Sequence, residues 1–160
     1  MRFSLALVLV AASASVCAAS AGTLISGRPS VVDGDTLEID GTLIRLHAID
    51  APELRQTCLT ASGETWPCGQ DAAEVLHQRV RLRIVHCMPL DRDRYGRLIG
   101  RCTLDSIDLG GWMVRQGWAL AFRRFGEDYV GEEAEAQLQR RGMWAGRFTA
   151  PWDWRTGIRN

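Results

Sequence analysis

The chain has 160 residues, enough for one domain with a full core and too few for two. A hydrophobic content of 46% is that of a globular protein and excludes a disordered or low-complexity chain. Basic and acidic residues balance at 19 each, every cation is an arginine, and this argues against a broad basic platform while leaving room for a local basic cleft.

Taken in chain order, residues 1–21 read as a cleavable secretory signal. Arg2 is the positive start, Leu5 to Ala12 the apolar stretch and Ala19-Ser20-Ala21 the small-x-small cleavage site. The apolar run is short for a membrane span. Residues 22–160 are then the mature domain, and losing Arg2 leaves 18 basic against 19 acidic residues. Secretion or a periplasmic location is expected, with no membrane attachment after cleavage. Cys17 leaves with the leader. Cys58, Cys68, Cys87 and Cys102 remain, an even number for an oxidising compartment. Three pairings are open. Cys58–Cys68, closing a Gly- and Pro-containing loop, and Cys87–Cys102, bridging two predicted strands, are preferred. A four-cysteine metal site is disfavoured because no Cys-x-x-Cys spacing occurs.

Thr23 to Val32 and Asp35 to Asp40 alternate as strands around an Asp33-Gly34 bend, and Asp40-Gly41 predicts a two-residue hairpin before a strand over Thr42 to His47. Alternation there places Arg45, His47 and Ile49 on one face. Ala51 to Cys68 reads as irregular. Helical spacing covers Gly69 to Val80, and strands are expected over Arg81 to Cys87 and Arg97 to Leu104, flanking a charged loop. Leu109 to Gln116 and Tyr129 to Arg141 read as helices stopped by Gly117 and Gly142. The Trp-rich tail from Met143 to Asn160 is expected to pack irregularly. Five short strands with interspersed helices suggest a small barrel of the OB type, and a generic α+β domain stays open on pattern alone.

Three segments carry chemistry. Asp33-Gly34-Asp35-Thr36 and Asp50-Ala51-Pro52-Glu53 supply hard oxygen donors suited to Ca²⁺ or Mg²⁺, and Arg45 precedes the second on a strand. Asp91-Arg92-Asp93-Arg94-Tyr95-Gly96-Arg97 adds guanidiniums whose planar forks fit phosphate oxygens. Each segment alone has an ordinary reading, as a turn, a strand exit or a charged hairpin tip. His47, His77 and His86 lack metal spacing and read as structural, and most of the six tryptophans read as core.

Together, the order Asp-Gly-Asp-Thr, then Arg-x-x-x-x-Asp-x-Pro-Glu, then Asp-Arg-Tyr-Gly-Arg, then Val114-Arg115-Gln116-Gly117-Trp118-Ala119 resembles the staphylococcal nuclease (thermonuclease) family over roughly Val31 to Trp144. The resemblance implies an α+β fold, an OB-type five-stranded barrel with three helices. It implies a Ca²⁺-dependent endonuclease acting on DNA and RNA, preferably single-stranded or open, and leaving 3′-phosphates. Asp35, Asp50 and the Ala51 carbonyl match the metal-binding positions, with alanine where threonine is familiar. Glu53 matches the general base, Arg45 and Arg97 the phosphate-contacting pair, and Arg94 and Tyr95 the basic-aromatic pair beside the nucleotide. Phe122 and Phe125 stand where tyrosines are familiar. A monomer is expected. Two other classes remain: a nucleic-acid-binding barrel without catalysis, which should have lost some of these residues, and a disulfide-stabilised extracellular interaction domain, favoured by the near-neutral charge.

Overall fold

The computed structural model describes residues 23–159, so the expected leader lies outside the described residues. Its strands are β1 (Ile25–Gly27), β2 (Ser30–Asp33), β3 (Thr36–Ile39), β4 (Thr42–Leu46), β5 (Ile49–Asp50), β6 (Cys58–Leu59), β7 (Thr65–Trp66), β8 (Val85–Arg92), β9 (Leu98–Leu104), β10 (Ile107–Asp108) and β11 (Leu120–Ala121). The helices are α1 (Cys68–Val80), α2 (Leu109–Arg115), α3 (Val130–Leu138) and α4 (Pro151–Arg155), with a 3-10 turn at Gly142–Ala145.

The main sheet runs β1-β8-β9-β4-β3-β2, with β10 on β9. β1 and β2 are halves of one run, broken at Arg28-Pro29 where proline removes a ladder donor. The two edges of the sheet are therefore the same stretch of chain, and the sheet closes into a five-stranded barrel of the OB type. β4 pairs with β9 in parallel, and the other neighbours pair antiparallel. The Asp40-Gly41 hairpin forms with positive φ at both residues, as a twist-matched two-residue turn requires.

The barrel interior and the helices share one core. Leu37, Ile39, Ile44 and Leu46 from the strands meet Ala72, Leu76 and Val80 of α1 and Leu109 and Met113 of α2. Each such Leu or Ile contributes roughly 1.5–3 kcal/mol on burial. A smaller cluster under the tail joins Cys58, Cys68, Leu120 and Met143 to Trp66, Trp144, Phe148 and Trp152.

Both preferred disulfides are present. Cys87 and Cys102 face each other directly in the β8–β9 ladder. Cys58–Cys68 ties the β6–β7 hairpin to the start of α1, so the segment expected to be irregular contains a small paired element.

Other expectations change. α1 ends at Val80, and Arg81 to Arg83 form a turn with Leu82 at positive φ, so the next strand begins at Val85 and runs on to Arg92. Its ladder slips between Pro89 and Asp91, where proline has no N–H to give. The single face expected for Arg45, His47 and Ile49 does not exist. His47-Ala48 is a turn with Ala48 at positive φ, and it resets the alternation so that Ile49 is buried. The helix expected over Tyr129 to Arg141 stops at Leu138, and the tail expected to be irregular carries a fourth helix, α4.

Candidate active site

β3, β4 and β5 bring the first two acidic motifs together. Asp35 precedes β3, Asp50 ends β5, and both carboxylates are buried. Arg45, on β4 opposite Thr36, lies between them. Its Nη1 donates to Asp35 Oδ1 at 2.8 Å, and its Nη2 donates to Asp50 Oδ1 at 2.9 Å and to the Ile49 carbonyl at 3.1 Å. The Ala51 N–H donates to Asp35 Oδ2 at 3.1 Å, so the backbone at Ala51 lies against the same carboxylate.

Burial drives the Asp35 carboxyl up to about 7, against the pull of Arg45, and the negative charges of Asp33 and Asp50 add to the rise. A carboxylate beside an arginine ordinarily falls, so here burial, helped by the neighbouring carboxylates, outweighs the arginine. Carboxylates outnumber guanidiniums in the cluster: Asp33, Asp35, Asp50 and Glu53 surround Arg45 and Arg155. An all-oxygen set with more carboxylates than guanidiniums fits a hard divalent cation. Among the described residues no cluster of three or more His, Cys, Asp or Glu side chains gathers as a metal cage.

Arg97 follows the β8–β9 tip. Its Nε donates to Asp93 Oδ2 at 2.7 Å and its Nη1 to Thr36 Oγ1 at 3.3 Å. Thr36 Oγ1 donates in turn to Asp35 Oδ1 at 3.1 Å, which links Arg97 to the acidic pair. Partial burial pushes the Asp93 carboxyl up, but the hydrogen bonds from the Arg97 side chain and from the Tyr95 and Arg97 N–H groups outweigh it and leave it low. Asp93 therefore stays charged and fixes the Arg97 guanidinium. Arg94 and Tyr95 are exposed at the tip, where Arg94 donates to the Tyr95 hydroxyl at 2.7 Å and lies over its ring.

Glu53 lies in the loop after β5. The loop is held by Gln56, which is fully buried: its Oε1 accepts from the Glu53 N–H at 3.2 Å and its Nε2 donates to the Thr149 carbonyl at 2.7 Å. α1 presses on the other side. A Cβ at Gly69 would lie 1.8 Å from the Glu53 carbonyl oxygen, so only glycine permits this approach.

One residue of the cluster carries no recognisable motif. Arg155, at the end of α4, donates from Nη2 to Asp50 Oδ2 at 2.6 Å and from Nη1 to Asp50 Oδ1 at 3.0 Å and Glu53 Oε1 at 2.7 Å. A Pro at the first helical position was a local sign that α4 exists, but nothing local shows which carboxylates its arginine meets. Beside it, Trp152 stacks on Phe122 with ring centres 5.5 Å apart, and Phe125 meets Phe122 edge-on.

A closed OB-type barrel with an arginine-bridged aspartate pair at one end defines a class, and comparison with known proteins agrees. Residues 43–146 match the model of the family described as staphylococcal nuclease homologue. A probable staphylococcal-like nuclease of Oryza sativa subsp. japonica, CAN1, is 32% identical over 120 residues, 73% of this chain and 33% of its own length. An uncharacterized endonuclease of Escherichia coli O157:H7 is 32% identical over 133 residues, 78% of this chain and 80% of its own. The succinoglycan biosynthesis protein ExoI of Rhizobium meliloti (strain 1021) is 39% identical over 104 residues, 64% of this chain and 54% of its own length. The chain thus spans about half of ExoI and a third of CAN1. It belongs to the staphylococcal nuclease family.

Proposed function

We propose that this protein is an exported, calcium-dependent endonuclease that hydrolyses phosphodiester bonds of DNA and RNA, preferring single-stranded or open segments. The observation that supports it most is the Asp35–Arg45–Asp50 bridge: two buried carboxylates with surplus negative charge, directly beside a fixed guanidinium. In this reading metal and phosphate would meet on one wall, as phosphodiester hydrolysis requires.

In this reading Asp35, Asp50 and the Ala51 carbonyl hold the cation. Calcium, when bound, supplies Lewis-acid polarisation of a phosphate oxygen and a position for water. Glu53, partly exposed and outside the buried pair, takes the proton from the attacking water. Arg45 and Arg97 donate to the phosphate oxygens on which charge accumulates. Their carboxylate partners pre-orient both forks, so little reorganisation is needed in the transition state. Arg94 and Tyr95 meet the nucleotide at the exposed tip. Cleavage at the 5′ P–O bond, leaving 3′-phosphate ends, follows from family resemblance. The leader expected over residues 1–21, together with the two disulfides, favours an oxidising compartment, where calcium is plentiful.

End-group analysis of oligonucleotide products tests the reading. Calcium-dependent 3′-phosphate ends that vanish with Asp35→Ala or Asp50→Ala support it. Undiminished cleavage by both variants overturns it.

A further inference from the structure

Arg155 occupies the middle of the carboxylate cluster, yet it lies beyond residues 43–146, the stretch that matches the family. Three ties hold the tail in place. Leu59 and Arg147 exchange backbone hydrogen bonds at 2.8 and 2.9 Å, Gln56 donates to the Thr149 carbonyl, and Trp152 stacks on Phe122. α4 then delivers Arg155 onto both oxygens of the fully buried Asp50 and onto Glu53. Arg45 already serves Asp50 from within the barrel wall, so Asp50 carries two guanidiniums, one 16% exposed and one 40% exposed at the rim.

We propose that Arg155 is a positioning residue of the active site: its guanidinium holds Asp50 and Glu53 together, and its charge opposes entry of a divalent cation at Asp50. The cation half of this inference rests on the calcium reading above. A planar fork can serve two carboxylates at once, which a lysine ammonium cannot do with the same geometry. A cation bound at Asp50 lies within a few ångströms of the Arg155 charge. Even at water-like screening, removing that charge tightens divalent binding by on the order of tenfold. Being half exposed, Arg155 can turn aside where Arg45 cannot.

The test uses the oxidised chain of residues 22–160 with Arg155→Gln and Arg155→Lys. Calcium binding is measured by titration calorimetry without nucleic acid, and cleavage of a short oligonucleotide is followed in single turnover at saturating calcium. Arg155→Gln is expected to bind calcium about tenfold more tightly than the parent and to cleave more slowly. Arg155→Lys is expected to keep the parent's calcium affinity while also cleaving more slowly, because charge is restored and the two-carboxylate bridge is not. In chelator, Arg155→Gln should lower the unfolding midpoint, and the drop should shrink when Asp50→Asn or Glu53→Gln is already present. A folded Arg155→Gln with unchanged or weaker calcium affinity, or midpoint drops that ignore both carboxylate changes, would overturn the proposal. If the parent itself binds no calcium, the calcium reading falls, and the midpoint cycle alone then decides whether Arg155 positions Asp50 and Glu53.

Discussion

At the scale of single residues, Arg45 has a structural role as well as a chemical one. It is the buried counter-charge of Asp35 and Asp50, and its side chain is only 16% exposed. Replacing it by leucine leaves two carboxylates in a low-dielectric wall with only Arg155 to answer them. Arg45→Leu should cost about 3–5 kcal/mol in chelator, read from denaturant unfolding. A cost below about 1 kcal/mol would mean that the pair is solvated or protonated without penalty. Arg45→Lys keeps a charge but loses the fork that spans the two aspartates. It should fold, and its kcat should fall by about 10²–10³-fold, the scale of one lost preorganised donor. Arg97, fixed by Asp93 outside the acidic pair, should show the same loss of rate with little effect on stability.

At the scale of elements, the site depends on how closely α1 approaches the loop carrying Glu53. Gly69→Ala forces the helix or the loop to shift, because the added methyl would lie 1.8 Å from the Glu53 carbonyl oxygen. It should cost roughly 1–3 kcal/mol, as overpacking does, and reduce cleavage, since Glu53 moves with the loop. Unchanged melting and rate would show that α1 can withdraw freely. The disulfides act on the same elements. Cys58–Cys68 and Cys87–Cys102 join positions 10 and 15 apart in the chain, so removing either by paired serine substitution should cost about 2–4 kcal/mol. The first removal should also reduce activity, because Cys58 and Cys68 flank Gln56 and Gly69, which position Glu53.

Element by element, legibility followed the range of the interaction. Helical periodicity placed α1 to within one residue, and Asp40-Gly41 placed its hairpin, because both are decided by local backbone chemistry. The strand after α1 was displaced by the Leu82 turn, and the β4 face was misread because the positive-φ turn at Ala48 has no Gly or Asn to announce it. The motif residues Asp35, Arg45, Asp50, Glu53 and Arg97 were identified by their order in the chain. The structure joins Asp35, Arg45 and Asp50 directly, Arg97 through Thr36, and Glu53 through Arg155. Arg155 is not legible in the sequence because its meaning depends on a contact with Asp50 105 residues away.

At the scale of the whole molecule, charge pairing ties the barrel to the segment before α3. Asp128 is held below the usual carboxylate range, first by the hydrogen bond from Arg101 of β9, with His47 at the end of β4 contributing. A carboxyl lowered by folding adds stability above its unfolded pKa, and that stability is lost as pH falls through its folded value. Asp128→Asn should therefore lower stability at neutral pH by less than about 1 kcal/mol, the pair being partly exposed. The gap between variant and parent should begin to close below about pH 4. A gap that persists unchanged at strongly acid pH would assign the loss to packing.

The calcium-dependent nuclease reading is most directly tested by incubating the purified, oxidised chain of residues 22–160 with denatured DNA in single turnover. Calcium, magnesium and excess chelator are compared for the parent and for Asp50→Ala. Cleavage is predicted with calcium, little with magnesium because the shorter metal–oxygen distances suit a tighter site, and none in chelator or with Asp50→Ala. Full cleavage in chelator, or equal cleavage by Asp50→Ala and the parent, would contradict the account.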